Sequence, residues 1–162
     1  MKKKTDQTIY VPLVKVTMVR EKEFPYDAEG ISNPGSVAAF AKKILEGVDR
    51  EYVLVVSVNT ANRPTAVEVV SIGTVNAALA EPREIFKHAI LANAYGIIMA
   101  HNHTSGRCVP SVDDIRITKR IEEAGKLLGI SLLDHIIVGD GYFSFLEEGL
   151  LKPSQDCMEK IA

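Results

Sequence analysis

Cysteine is scarce: the 162 residues hold two, Cys108 and Cys157. That is too few for a disulfide framework in a chain of this length, which excludes the small, disulfide-stapled secreted class. Long apolar runs are missing as well. No stretch approaches the about 20 consecutive apolar residues of a membrane span, so no spanning helix and no membrane partner are expected. Nor is there surplus basic charge. Lys and Arg number 19 against 21 Asp and Glu, for a net charge of −2, so the chain lacks the overall positive field with which nucleic-acid binders meet phosphates. A nucleic-acid partner stays open but has no support from charge, and Lys2-Lys3-Lys4 reads as a solvated terminus. No apolar segment follows those lysines, so no signal peptide is expected and the expected compartment is the cytoplasm. Repeats and low-complexity segments are absent too.

What is present suffices for one core. With 46% hydrophobic residues, a single domain is the default. Residues 1–8 read as frayed. Ile9 to Val19 alternates β-branched residues with others, which suggests an early strand with one slip in phase, and Glu21 to Ile31 is a charged connector. Asn33-Pro34 opens a helix, with Asn as N-cap and Pro in the first turn. Val37, Phe40, Ala41, Ile44 and Leu45 give it an apolar stripe, and Gly47 ends it. The nearly continuous apolar run Tyr52–Val58 reads as a central strand, hairpinned through residues 59–64 to a second strand over Thr65–Ile72. Pro82 starts a helix with apolar positions Ile85, Phe86, Ala89, Ile90 and Ala94. A buried strand over Gly96–Ala100, a helix from Ser111 to Leu128 closed by Gly129, and strands over Ile130–Val138 and Tyr142–Leu146 complete the reading. The sum is an α/β or α+β sandwich, a mixed sheet flanked by helices.

The most informative stretch is Ala100 to Asp114, AHNHTSGRCVPSVDD. Leaving a strand at period two, His101 and His103 point to one side, so both imidazoles can reach one point. Asp114 falls at the start of the following helix. Two nitrogens and a carboxylate oxygen suit zinc, and three protein ligands leave the open position that a hydrolytic site needs for water. The same residues have plainer readings. A histidine pair can simply end a strand. Ser111-x-x-Asp114 is also a helix-capping pattern, and an Asp side chain that ligates zinc is expected not to cap as well. Cys108 as a fourth ligand would close the site and make it structural. His88 reads as a surface or packed helix residue, and His135 as half of a satisfied core pair with Asp134; Cys157 has no assignable role. Other zinc chemistries lack their signatures: there is neither H-x-E with P-C-x-x-C of the deaminases nor H-E-x-x-H. The chain is also shorter than the about 250 residues of the barrel hydrolases.

The spacing H-x-H-x7-S-x-x-D matches the JAMM motif of the JAB/MPN-type zinc metalloproteases. The wider context, PREIFKHAILANAYGIIMAHNHTSG, PSVDDIRITKRI and LLGISLLDHIIVGDGYFSF, resembles the C-terminal domain of RadC-like proteins from about Pro34 to Leu151. That resemblance implies an MPN/JAB-type (cytidine deaminase-like) fold, a domain over residues 31–152, an N-terminal strand and connector over 1–30 without a helix-hairpin-helix, and a tail over 153–162. It also implies Zn2+ held by His101, His103 and Asp114, an upstream glutamate as general base, and Ser111 supporting the tetrahedral intermediate. Glu51, at the entry to the Tyr52–Val58 strand, is the preferred base, and Glu68, a lone charge in the next strand, is the alternative. The family pattern has proline after the second histidine, where this chain has Thr104. The activity so implied is hydrolysis of a peptide or isopeptide bond in a peptide or protein substrate. A DNA-repair-associated role without protease activity and a non-catalytic MPN scaffold are the alternatives. The oligomeric state is not legible.

Overall fold

The computed structural model describes residues 10–26, 31, 33–73 and 81–152. The expected frayed terminus, residues 27–30 of the connector, and the tail with Cys157 lie outside these. The elements in chain order are α1 (Pro34–Ile44), β1 (Tyr52–Val58), β2 (Pro64–Ile72), α2 (Pro82–Leu91), β3 (Gly96–Asn102), α3 (Val112–Leu128), β4 (Ser131–Val138) and β5 (Tyr142–Ser144). The five strands form one mixed sheet in the order β2-β1-β3-β4-β5. β3 and β4 are parallel and joined by α3; the other neighbours are antiparallel.

Both faces of the sheet are covered, which is why β1 and β3 read as unbroken apolar runs. Leu54, Val56, Ile98, Ala100 and Ile136 face Val37, Phe40 and Ala41 of α1. Val53, Val55, Ile97, Met99 and Ile137 face Ile85, Phe86 and Ala89 of α2 and Ile121 of α3. Helix ends follow their caps. Asn33 accepts from Ser36 N–H with Pro34 next to it, and Gly129 closes α3 in the left-handed region at φ 69°. Within α3, Gly125 lets the chain fold back: a Cβ there would lie 2.4 Å from the Ile130 carbonyl oxygen.

Four expectations need correction. Residues 10–19 form no strand. Tyr10, Val11 and Leu13 are exposed; alternation gives β propensity, but a strand exists only against a partner, and Pro12 removes a ladder donor. α1 ends at Ile44 with Leu45 as its C-cap, ahead of Gly47. On α2, Ile90 is exposed and His88 takes the buried place instead, and β5 stops at Ser144.

Candidate metal centre

The site forms where β3 ends beneath the start of α3. His101, paired with Val53 on one side and Ile137 on the other, continues the face of Ile97 and Met99 toward α3, and His103 follows two residues on. Ser111 caps α3, and Asp114 is its third residue. The ligand-capable atoms of His101, His103 and Asp114 all lie within 4.8 Å of one another, the one such cluster of His, Cys, Asp or Glu among the described residues. His101 Nε2 is 3.0 Å from His103 Nε2, Asp114 Oδ1 is 3.3 Å from His101 Nε2, and Asp114 Oδ2 is 3.4 Å from His103 Nε2. Ligand atoms about 2.0–2.2 Å from a tetrahedral zinc stand about 3.4 Å apart. The two imidazole nitrogens stand a little closer than that, and each has one Asp114 oxygen near this distance, Oδ1 for His101 and Oδ2 for His103.

Asp114 takes part in the cap and also turns an oxygen toward His101. Ser111 donates to Asp114 Oδ2 through both its N–H (2.7 Å) and its hydroxyl (2.6 Å), and Asp114 N–H donates back to Ser111 Oγ at 3.1 Å. A carboxylate has two oxygens, so Oδ2 serves the cap while Oδ1 faces His101. Burial alone pushes the Asp114 carboxyl up, but His101 and the two Ser111 donors together hold it well below the usual carboxylate range.

Each histidine has a fixed outer partner. His103 Nδ1 lies 2.9 Å from the Arg107 carbonyl, which can only accept, so Nδ1 carries the proton and Nε2 presents a lone pair. His101 Nδ1 lies 2.9 Å from His135 Nε2. The opposite nitrogen of His135, Nδ1, is 2.6 Å from Thr118 Oγ, which also lies 2.6 Å from the Asp114 carbonyl. His135 is therefore satisfied, but not through the Asp134 side chain as expected. Asp134 accepts from the backbone N–H groups of His135 and Leu146 and from the Ser144 hydroxyl, tying β4 to the end of β5. Stacked on Phe145, the His135 imidazole is driven well below the usual histidine range by burial, which keeps it neutral at physiological pH.

Glu51 stands two residues before Val53, the partner of His101, so strand alternation puts it on the histidine side at the same end of the sheet. Asn102 fixes that junction: its amide donates to the Arg50 carbonyl and its oxygen accepts from Tyr52 N–H, each at 2.8 Å, on either side of Glu51. Glu68 pairs with Val55 and so lies one strand farther from β3 and deeper along the sheet. Its charge is felt by Lys87 and His88 of α2. His88 is buried, with Nδ1 3.4 Å from Ser57 Oγ and Nε2 without a partner. The Cys108 thiol faces the Gly106 carbonyl at 3.8 Å and is outside the ligand cluster.

The loop beyond His103 is held against the β4–β5 connection. Gly106 N–H closes a turn onto the His103 carbonyl at 3.0 Å, with Thr104 second in that turn, and Asp140 N–H donates to the Gly106 carbonyl at 2.9 Å. A Cβ on Gly139 would collide with that same carbonyl and meet the Cys108 sulfur at 3.0 Å. Sequence reasoning missed Asn102, Thr118 and His135. Asn102 between two candidate ligands was a usable signal; the pairing of β4 with β3, which brings His135 in, is not written in one sequence.

Comparison with known proteins agrees with this geometry. The family model described as RadC-like JAB domain matches residues 31–150. A UPF0758 protein of Rubrobacter xylanophilus is 46% identical over 121 residues, which are 75% of this chain and 53% of the relative. One from Moorella thermoacetica is 48% identical over 118 residues, 73% and 52%, and one from Clostridium tetani 45% over 118 residues, again 73% and 52%. The chain thus spans about half the length of the curated relatives it matches. The motif, the mixed five-stranded sheet flanked by helices and these matches agree, and the chain belongs to the RadC-like JAB domain family.

Proposed function

We propose that this protein is a zinc-dependent hydrolase of the JAMM type that cleaves an amide bond, peptide or isopeptide, in a peptide or protein substrate. The observation that carries the reading is the convergence of His101, His103 and Asp114, whose ligand-capable atoms lie within 4.8 Å of one another, both histidines with an outer hydrogen-bond partner on the nitrogen turned away from the cluster. Bound by these three, zinc supplies the Lewis acidity that makes water a nucleophile near neutral pH. Glu51 is the general base: it takes the proton of the attacking water and returns it to the leaving amine. Its bracketing by Asn102 favours it over Glu68, which faces α2. Ser111 is assigned to the oxyanion, its hydroxyl turning from Asp114 to the substrate. Cys108, directed at Gly106, is not among the residues that would hold the metal.

Elemental analysis of the wild type, His103→Ala and Cys108→Ser tests the centre. One zinc per chain is expected in the wild type and in Cys108→Ser, and none in His103→Ala. Loss of metal in Cys108→Ser would mean a closed, structural site, and a wild type that takes up no added zinc would leave a scaffold. On a panel of peptide- and isopeptide-linked fluorogenic substrates, Glu51→Gln is expected to keep its zinc and lose activity by a factor of about 100 or more. Glu68→Gln is expected to retain activity; the reverse pattern would transfer the base to Glu68.

A further inference from the structure

We infer that Thr118 and His135 are positioning residues that set the tautomer of His101, so that its Nε2 meets a metal as a bare lone pair. The inference rests on the metal reading above and adds a directed chain of hydrogen bonds behind it. The chain starts at the Asp114 backbone carbonyl, an acceptor only. Thr118 Oγ, 2.6 Å away, has one proton, and that proton must go to this carbonyl, because otherwise two oxygens with facing lone pairs would stand at 2.6 Å. With its proton used, Thr118 Oγ can only accept from His135 Nδ1, also at 2.6 Å. His135 Nδ1 then carries the ring proton and Nε2 is an acceptor. At 2.9 Å from it, His101 Nδ1 must donate, which strips His101 Nε2 of hydrogen on the side facing His103 and Asp114.

Reversing the chain would set the lone pairs of two oxygens against each other at 2.6 Å inside a buried site, since Thr118 is 2% and His135 1% exposed. The direction argued here leaves the bare Nε2 atoms of His101 and His103 3.0 Å apart, a contact that a cation between them relieves. The chain also closes on itself. It starts at the backbone of Asp114 and ends at the imidazole 3.3 Å from that residue's own carboxylate. Helix α3 therefore delivers one ligand directly and orients another through Thr118, one turn on. Outer partners of metal-bound histidines commonly account for a factor of 10 to 100 in affinity.

The test uses the full chain with Zn2+ as the titrant, and long-range 1H–15N NMR of the imidazoles in the metal-free protein at pH 8. Thr118→Val keeps the shape and removes the hydroxyl; Thr118→Ser restores it. In the wild type the His101 proton is expected on Nδ1. Zinc affinity is expected to fall about 10- to 100-fold in Thr118→Val and to return to within a few-fold of wild type in Thr118→Ser. His135→Gln, whose amide can accept from His101 and donate to Thr118, is expected to bind more tightly than His135→Leu. Wild-type affinity in Thr118→Val, an equal loss in Thr118→Ser, or a His101 proton on Nε2 would overturn the inference while leaving the metal centre intact. A wild type that binds no zinc but shows the Nδ1 proton, scrambled in Thr118→Val, would sink the metal reading and uphold the chain.

Discussion

Ser111 carries one hydroxyl proton and gives it to Asp114. Two effects of Ser111→Ala follow. The helix loses its N-cap acceptor, a cost of about 1 kcal/mol in a denaturant titration. Asp114 loses one of two donors on Oδ2, so zinc affinity is expected to drop several-fold while the backbone N–H keeps the carboxylate roughly in place. Turnover measured at saturating zinc isolates the oxyanion role, because there the affinity loss no longer matters. A fall in kcat under that condition is expected; an unchanged kcat would confine Ser111 to holding Asp114. Thr104 differs in kind. The family pattern has proline there, yet the turn closes with threonine in place, so the departure removes a conformational restraint and no ligand.

Helix α3 does more than cover the sheet. Its first turn supplies Asp114, its second Thr118, and its last turns must let the chain reverse into β4. Gly125 makes that reversal possible, and it is not there for flexibility. Alanine in a helix interior is ordinarily better than glycine by about 1 kcal/mol, but a Cβ at 125 would stand 2.4 Å from the Ile130 oxygen, with Phe86 at 3.3 Å. Gly125→Ala is therefore expected to be a net loss of about 1–3 kcal/mol, seen as a melting temperature several degrees lower; a gain would mean the junction gives way freely. Much of this scale was legible beforehand. Helix caps at Asn33, Ser111 and Gly129 and the apolar runs of β1 and β3 are local signals, and H-x-H with Ser111 and Asp114 is local as well, because strand and helix periods alone aim those side chains. The false strand at 10–19 and the missed His135 share a cause. Both depend on which strands neighbour each other, and that is decided by the whole sheet, not by a window of residues.

Taken whole, the molecule buries titratable groups whose signs can be followed. Burial pushes the His88 imidazole down, with Glu68 opposing in part, and burial pushes His135 down further. A depressed histidine binds fewer protons folded than unfolded. Its contribution is thus complete above the unfolded value of about 6.5 and lost as pH falls toward the folded one, with a slope of at most about 1.4 kcal/mol per pH unit for each group. Asp114, held low, has the same sign in a lower window: its contribution is present above about pH 3.8 and lost below. Asp134, raised by burial, has the opposite sign, and its contribution fades as pH rises through its folded value. In urea titrations of the metal-free protein the midpoint should fall between pH 7 and pH 5, with a shallower slope for His88→Leu. A flat profile would contradict two neutral buried histidines.

The close approach of Gly139 to the Gly106 carbonyl has a further consequence, one of heredity more than of energy. Any side chain at 139 would displace Gly106, and with it the neighbouring Arg107 carbonyl that holds the proton of His103. Natural variants that alter this turn would thus disturb His103, one of the proposed ligands, without having touched it. Genetic screens for loss of activity should recover position 139 alongside the histidines themselves.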